Sequence, residues 1–127
     1  MDLRGLFSNS PHIQEFHSGT TIFTEGTPGA VVYVILNGEI EVSVRGKLLD
    51  VLGPGDILGE MALIDAQARS ATAVAKTECR MAVMDEQQFV YMVEQTPLFA
   101  LHVMRVLAQR LRRTLEIMQR PSATAGM

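Results

Sequence analysis

Between residues 12 and 85, short apolar runs alternate with turn residues, a pattern typical of short β-strands. A continuously apolar run at 31–36 predicts a buried strand, and Asn37-Gly38 directly after it is a hairpin signal. The run at 40–44 alternates apolar and polar residues, which predicts a strand with one buried face. Taken together, the pattern predicts strands at 13–16, 20–24, 31–36, 40–44, 47–52, 70–75 and 79–84.

After these strands the apolar positions follow a helical period. Asp85 is placed to cap a helix over 86–95. Thr96-Pro97 is typical of an N-cap followed by proline at the first helical position, so a second helix is expected over 97–119. Most of the ten glycines lie at the predicted turns. The pattern therefore indicates a mainly β fold, a jelly-roll (double-stranded β-helix) barrel with flanking helices, rather than a parallel sheet with crossover helices.

The length of 127 residues fits a single domain with a sizeable core. We expect this domain to span 1–120, with the barrel over about 12–85 and a disordered tail at 121–127. No apolar run reaches the roughly 18 residues of a membrane span, and the first residues lack the features of a signal peptide. The single cysteine, Cys79, fits a reducing cytoplasm, and its place in an apolar strand favours a buried structural thiol over a reactive one.

The most informative stretch for chemistry is the loop before the strand at 70–75. Gly59 permits a backbone turn that a side chain would block, and a short helical turn is expected after it. The free amides at the start of such a turn suit a phosphate. Arg69 supplies a planar guanidinium that meets two phosphate oxygens at once, and Ser70 adds a hydroxyl donor.

Glu60 is an acid at this predicted phosphate site. A carboxylate only accepts hydrogen bonds, so a ribose hydroxyl is a suitable partner for it. A salt bridge between Glu60 and Arg69 is the alternative, because ordinary chains contain many such pairs. The glycine-containing loop around both residues favours a nucleotide whose phosphate and ribose are held side by side.

The same stretch resembles the phosphate-binding cassette of cyclic nucleotide-binding domains. The likeness extends from about Phe16 to the end of the last helix, and it implies a jelly-roll with the cassette inserted between strands and two C-terminal helices that respond to the ligand. The residues that carry it are Phe23-Thr24-Glu25-Gly26, Tyr33-Val34-Ile35-Leu36-Asn37-Gly38-Glu39-Ile40, Gly53-Pro54-Gly55-Asp56, Gly59-Glu60-Met61-Ala62-Leu63 and Arg69-Ser70-Ala71.

The resemblance also implies roles for individual residues. Glu60 would accept the ribose 2′-hydroxyl, and Arg69 would pair with the cyclic phosphate. The implied phosphate and ribose site consists of Gly59, Glu60, Met61, Ala62, Arg69, Ser70 and Ala71. The implied surroundings of the base and sugar consist of Val42, Leu52, Leu58, Arg110 and Thr114.

The last predicted helix carries an apolar stripe spaced by three and four residues, which is the pattern of a two-helix contact. One broad core-facing surface on a monomer is the alternative. A barrel this small rarely covers both faces of such a long helix, so we favour a homodimer formed through this helix, as the resemblance also implies. The stripe consists of Leu101, Met104, Ala108, Leu111, Leu115 and Met118.

Other chemistries find little support. No nucleophile and base occur at a recognisable spacing, so we expect no enzymatic activity. The three histidines, His12, His17 and His102, lack metal-ligand spacing, so neither a metal nor a cofactor is predicted. Arginines are concentrated in the last helix without interleaved aromatic residues, and the net charge is −3. We therefore favour a solvated helix face over a nucleic-acid contact, and expect no specific DNA binding by this chain alone.

The sequence thus predicts a stand-alone cytoplasmic sensor that binds cyclic AMP in preference to cyclic GMP and signals to an unidentified effector protein. Ser70 stands where guanine-selective members of the family often have threonine. Thr114 matches a base-contacting threonine of bacterial cyclic-AMP regulators, although Leu115 replaces the serine that follows it there. Two alternatives remain open: a dimeric interaction module without nucleotide binding, and the sensor portion of a larger regulator.

Overall fold

The structure is a computed structural model that describes residues 1–119. The tail predicted at 121–127 lies outside the described residues. The strands and helices predicted from the sequence are present, with small shifts at strand ends. In chain order the elements are α1 (Leu3–Phe7), β1 (Ile13–Phe16), β2 (Thr21–Phe23), β3 (Val31–Asn37), β4 (Ile40–Val44), β5 (Lys47–Leu52), β6 (Ile57–Leu58), α2 (Glu60–Asp65), β7 (Thr72–Ala75), β8 (Cys79–Asp85), α3 (Glu86–Gln95) and α4 (Pro97–Gln119).

The strands form two four-stranded antiparallel sheets, in the orders β1-β8-β3-β6 and β2-β7-β4-β5. The predicted mainly β jelly-roll with flanking helices is confirmed, although the sheets do not close into a continuous barrel. Buried side chains from both sheets pack into one hydrophobic cluster, which holds the sheets together. The cluster consists of Tyr33, Ile35, Ile40, Leu52, Leu58, Ala73, Ala75, Cys79 and Met81.

β3 accounts for the continuously apolar run in the sequence. Tyr33 and Ile35 belong to the cluster between the sheets, and the alternate residues Val32 and Val34 are fully buried as well. Successive side chains of a strand point to opposite faces, so both faces of β3 are covered. Both α1 and α2 lie against this strand. The prediction of a buried strand is confirmed.

The hairpin predicted at Asn37-Gly38 is wrong, because β3 and β4 lie in different sheets. A two-residue type I′ hairpin turn requires positive φ at both positions, and here only Gly38 has it, at +91°. The chain crosses between the sheets at this point, where a Cβ on Gly38 would collide with the carbonyl oxygen of Glu78. The tight hairpin joins β4 to β5 instead, with φ of +52° at Arg45 and +78° at Gly46.

Strand β6 was not predicted, because two residues are too few to show a periodic pattern. In this strand Leu58 pairs with Tyr33, and Ile57 pairs with Val34. Both β6 residues are buried. The pairing fixes the chain to β3 directly before Gly59, where the candidate site begins.

α3 begins with a capping box, in which two residues satisfy each other's backbone amides. The Asp85 carboxylate accepts the backbone N–H of Gln88 at 2.8 Å, and the Gln88 side-chain oxygen accepts the backbone N–H of Asp85 at 2.9 Å. The predicted cap at Asp85 is confirmed. The sequence pattern did not reveal the reciprocal bond from Gln88.

Replacing Asp85 with alanine should therefore lower the free energy of unfolding by about 1 kcal/mol, the usual cost of losing an N-cap. Urea denaturation followed by circular dichroism would measure the change. Asp85→Asn is the matched control, because asparagine keeps a side-chain oxygen at the cap and should lose less. Equal losses for the two variants would show that the cap is not the cause.

The chain divides into two compact units. One consists of Asp2–Tyr91 and contains both sheets; the other consists, among the described residues, of Met1 with residues 92–119 and contains α4. As predicted, α4 begins with Pro97 at its first position, where the missing N–H of proline costs no hydrogen bond. None of the described helices combines the length and apolar character that a membrane span requires.

Candidate functional site

The candidate site is built on α2, which follows β6 after a single residue, Gly59. This glycine has φ +84°, in the left-handed region that glycine adopts without strain. A Cβ at this position would also lie only 2.5 Å from Nη1 of Arg69. Glycine is therefore required at position 59 for two reasons: the backbone turn into α2 and the close packing of the Arg69 side chain.

Two charged side chains of the site are buried. Glu60 is 2% exposed and Arg69 is 6% exposed, and no other charged side chain is buried among residues 1–119. Burying a charge costs free energy unless its surroundings compensate. Buried ionisable groups of this kind concentrate at functional sites, so the pair marks this region as the candidate.

The Arg69 guanidinium is held by backbone carbonyl groups and an aromatic ring. Its Nη1 donates to the carbonyl oxygen of Gly59 at 3.0 Å, and its Nη2 donates to that of Val31 at 2.9 Å. The guanidinium carbon lies 4.3 Å from the centre of the Phe23 ring, within the range of a cation–π contact. These contacts fix the orientation of the planar group.

The two carbonyl groups do not use all the hydrogen-bond donors of Arg69, because a guanidinium carries more than two N–H groups. Its Nε is buried and has no hydrogen-bond partner within the described part of the chain. Burial lowers the pKa of Arg69, while the nearby Tyr33 and Glu60 oppose that shift. Arginine nevertheless stays protonated in proteins. The site therefore holds a buried cation that suits an anion with oxygen acceptors.

The other predicted phosphate residues lie on α2 and just before β7. Ala62 is buried, whereas Met61 is 49% exposed. The exposed Ser70 hydroxyl donates to the Met61 sulfur at 3.9 Å, and Ala71 is partly buried. The structure thus places Met61 and Ser70 in contact with each other, and their contact with a ligand stays a prediction.

The residues predicted around the base lie in both compact units. Leu52 and Leu58 are buried in the cluster between the sheets, and Val42 packs against that cluster. Arg110 and Thr114 lie on α4, where the Thr114 hydroxyl donates to the Arg110 carbonyl oxygen at 3.0 Å. For all five residues, a role in binding the base stays a prediction.

The β2–β3 loop (residues 24–30) is a part of the site that was not predicted from the sequence. The Gly26 amide donates to the Arg69 carbonyl oxygen, and the Arg69 amide donates to the Thr27 carbonyl oxygen, both at 2.8 Å. A Cβ on Gly29 would collide with the Arg69 guanidinium. The glycines here were assigned only to a turn. The packing of Gly29 against an arginine forty residues later leaves no signal in the local sequence pattern.

Groups outside this site show no comparable arrangement. Cys79 is buried as expected, and its thiol donates to carbonyl oxygens of Thr77 at 3.1 Å and Glu39 at 3.3 Å. His17 lies 3.1 Å from Glu78 on the exposed surface. Within residues 1–119, no three His, Cys, Asp or Glu side chains are grouped so as to hold a metal ion.

Comparisons with known proteins agree with this arrangement. A family model described as "Cyclic nucleotide-binding domain" matches residues 13–96. The CRP-like cAMP-activated global transcriptional regulator of Mycobacterium tuberculosis is 35% identical over 105 residues, which cover 79% of this chain and 47% of that protein. The cyclic AMP receptor protein of Thermus thermophilus is 30% identical over 102 residues, with coverage of 76% and 47%. This chain thus spans about half the length of these curated relatives.

Solved structures show the same relationship. The Thermus thermophilus catabolite activator protein superposes with a TM-score of 0.76 at 30% identity, covering 84% of this chain and 53% of that chain. The cGMP-bound EAL enzyme Bd1971 gives a TM-score of 0.63 at 37% identity, covering 83% of this chain and 29% of that chain. With the match to the family model, these similarities show that the chain belongs to the cyclic nucleotide-binding domain family.

Proposed function

We propose that this protein is a sensor that binds a cyclic nucleotide, cyclic AMP in preference to cyclic GMP, and signals through its C-terminal helices to an effector protein. The observation that carries the proposal is the buried Arg69 guanidinium, whose Nε has no hydrogen-bond partner among the described residues. A cyclic phosphate would bring a negative charge and oxygen acceptors to this cation. The Mycobacterium tuberculosis relative is named as a transcriptional regulator and the Thermus thermophilus relative as a cyclic AMP receptor, and we propose a regulatory role for this chain, without catalysis.

In the proposed complex, Arg69 binds the phosphate together with backbone amides at the start of α2. The Ser70 hydroxyl joins them, because its present contact with the Met61 sulfur is long and weak and would give way to a phosphate oxygen. Gly59, Met61 and Ala62 contribute backbone amides around Glu60. Each of these groups is a donor, as a phosphate requires.

Glu60 has a different role in the same complex. It is buried, and it lies close enough to Arg69 to oppose the lowering of the arginine's pKa. A carboxylate repels a phosphate but accepts a hydrogen bond from a hydroxyl. A ligand that carries a phosphate beside a ribose 2′-hydroxyl would therefore offer oxygen acceptors to Arg69 and a hydroxyl donor to Glu60.

The proposed preference for cyclic AMP follows from Ser70 and Thr114, and the relatives named above are described as cAMP-activated or cyclic AMP receptors. The structural neighbour Bd1971 has been solved with either cyclic GMP or cyclic AMP bound. A competition titration with the two nucleotides tests the preference. We expect cyclic AMP to displace a fluorescent cyclic nucleotide at the lower concentration, and the reverse order would make cyclic GMP the ligand.

An open cleft lies beside the cassette, next to α2. It has a volume of about 470 Å³ and is lined by α2, the β2–β3 loop and the first turn of α3. Packed elements change between discrete arrangements rather than deforming continuously. We propose that the ligand phosphate orders residues 59–70, which shifts α2 against α3 and moves α4. Only a difference in ligand affinity between the two arrangements can drive such a population shift.

Thermal unfolding with and without cyclic AMP tests the proposed function directly. A ligand that binds only the folded protein stabilises it by about 2.7 kcal/mol at a concentration of 100 times its Kd, so the melting temperature should rise. The absence of a rise with either cyclic nucleotide would favour the interaction module without nucleotide binding. Specific DNA binding forms no part of the proposal, since this chain covers about half of the relatives named as transcription regulators.

The exposed apolar stripe on α4 supports a homodimer as part of the proposal. A row of apolar side chains at this spacing on one helix is suited to packing against a second copy of the same helix. Exposed apolar patches of this kind mark interaction sites. The exposed fractions are 36% for Leu101, 58% for Met104, 59% for Leu111, 45% for Leu115 and 76% for Met118.

Replacing Leu111 with glutamate should raise the dimer dissociation constant by about tenfold, because the two copies would bring like charges into an apolar contact. Sedimentation equilibrium would measure it. Gln109→Glu is the matched control, since Gln109 is exposed on the same helix but outside the stripe. A monomeric unaltered protein, or equal effects of both substitutions, would contradict the proposed interface.

A further inference from the structure

Gly29 lies directly against the Arg69 side chain. A Cβ at position 29 would collide with Nε and Cζ of that arginine and lie 2.8 Å from its Cδ. Gly29 is not among the glycines with positive φ, so an L side chain would be compatible with its backbone. Glycine is therefore required at this position for space alone.

The β2–β3 loop and its flanking strands surround the same arginine. Phe23 at the end of β2 lies over the guanidinium, and the carbonyl of Val31 at the start of β3 accepts a hydrogen bond from Nη2. Between them, the backbones of Gly26 and Thr27 pair with the backbone of Arg69. The loop thus fixes both the main chain and the side chain of this residue.

We propose that Gly29 is a positioning residue, which lets the guanidinium of Arg69 lie in a slot between Phe23 and the β2–β3 loop before any ligand arrives. The bare glycine allows the arginine to reach the Gly59 and Val31 carbonyls. An arginine held in advance loses little conformational freedom when it binds an anion. The effect on binding rests on the proposed function, whereas the placement of Arg69 is a property of the free protein.

The first test measures cyclic AMP binding to Gly29→Ala by isothermal titration calorimetry. We expect the affinity to fall about tenfold, because the added methyl group displaces the guanidinium. Gly53→Ala is the matched control: Gly53 also lacks a positive φ, and a Cβ there would meet no atom within 4 Å. Unchanged affinity in Gly29→Ala, or an equal loss in Gly53→Ala, would overturn the proposal.

The second test needs no ligand, and it distinguishes a failure of this inference from a failure of the proposed function. Gly29→Ala should lower the melting temperature by several degrees in the unaltered background and have little effect in Arg69→Ala, where the colliding side chain is gone. If Gly29→Ala does not fold, the double variant should. Equal losses in both backgrounds, or a double variant that fails to fold while Arg69→Ala alone folds, would show that position 29 does not act through Arg69.

The NMR signal of the Arg69 Nε–H group reports the position of the guanidinium itself. Its chemical shift should change in Gly29→Ala and stay the same in Gly53→Ala. A merely structural defect elsewhere in the loop would leave this signal unmoved. If the unaltered protein binds no cyclic nucleotide, the proposed function fails, while this signal and the melting temperatures still decide the role of Gly29.

Discussion

Replacing Arg69 with alanine is expected to weaken cyclic AMP binding by about 10- to 150-fold. A hydrogen bond to a charged group contributes about 1.5–3 kcal/mol, and this arginine is buried, so water screens its charge poorly. The buried Nε, which has no hydrogen-bond partner within residues 1–119, adds donor capacity that alanine removes. Isothermal titration calorimetry would measure the change, and unchanged affinity would refute the role assigned to Arg69.

Two further variants make the Arg69 result specific. Arg69→Lys keeps the positive charge but loses the planar fork, so its affinity should lie between those of the unaltered protein and Arg69→Ala. Arg80→Ala removes an exposed arginine of β8 and should leave binding unchanged, which controls for net charge. A thermal scan of each variant is needed, because Arg69→Ala also leaves the carbonyls of Gly59 and Val31 without their present donor.

Replacing Glu60 with alanine should weaken cyclic AMP binding by about tenfold or more, but hardly affect binding of 2′-deoxy cyclic AMP. The proposed contact is a charge-assisted hydrogen bond from the ribose 2′-hydroxyl to the carboxylate, and the deoxy ligand has no hydroxyl to lose. The two ligands are titrated against both proteins by calorimetry. Their ratio of affinities isolates the sugar contact from any general damage to the site.

Glu60→Gln is the matched variant for this prediction. It preserves the volume of a buried side chain and one oxygen acceptor, but removes the negative charge. We expect an intermediate loss for cyclic AMP. If Glu60→Ala weakened both ligands equally, Glu60 would serve the cassette structurally, and the proposed sugar contact would be wrong.

The helices were the part of the fold that the sequence predicted best. Asp85 and Pro97 are start signals that act within a few residues, so their meaning does not depend on the rest of the structure. The bounds of α3 and α4 agree with the predicted ranges for that reason. The apolar run of β3 was equally informative, because a strand covered on both faces needs no alternation.

The errors arose where long-range packing decides the outcome. Asn37-Gly38 has the composition of a hairpin turn, yet the chain crosses there between sheets, and Gly38 is needed because it packs against Glu78 and Cys79. Strand β6 is too short for any pattern. Pairing with β3 stabilises it, and that contact is distant in sequence.

In the candidate site, too, the local features were predicted from the sequence and the long-range contacts were not. The motif around Gly59, Glu60 and Arg69 is local, and the structure brings these residues together at α2. The β2–β3 loop contributes through Gly29, whose requirement for a bare backbone appears only once the fold places Arg69 beside it. A substitution at Gly29 is therefore the kind of change whose effect the sequence alone would not have predicted.

The position of β8 between β1 and β3 has a consequence for how the molecule is made. Ile13 pairs with Ala82, and Val31 pairs with Asp85, so this sheet joins segments far apart in the chain. A ribosome must therefore synthesise residue 85 before the sheet can be completed, and ordering these long loops slows the search for the native state. We expect refolding from denaturant on the scale of milliseconds to seconds, as is usual for proteins rich in non-local strand pairing.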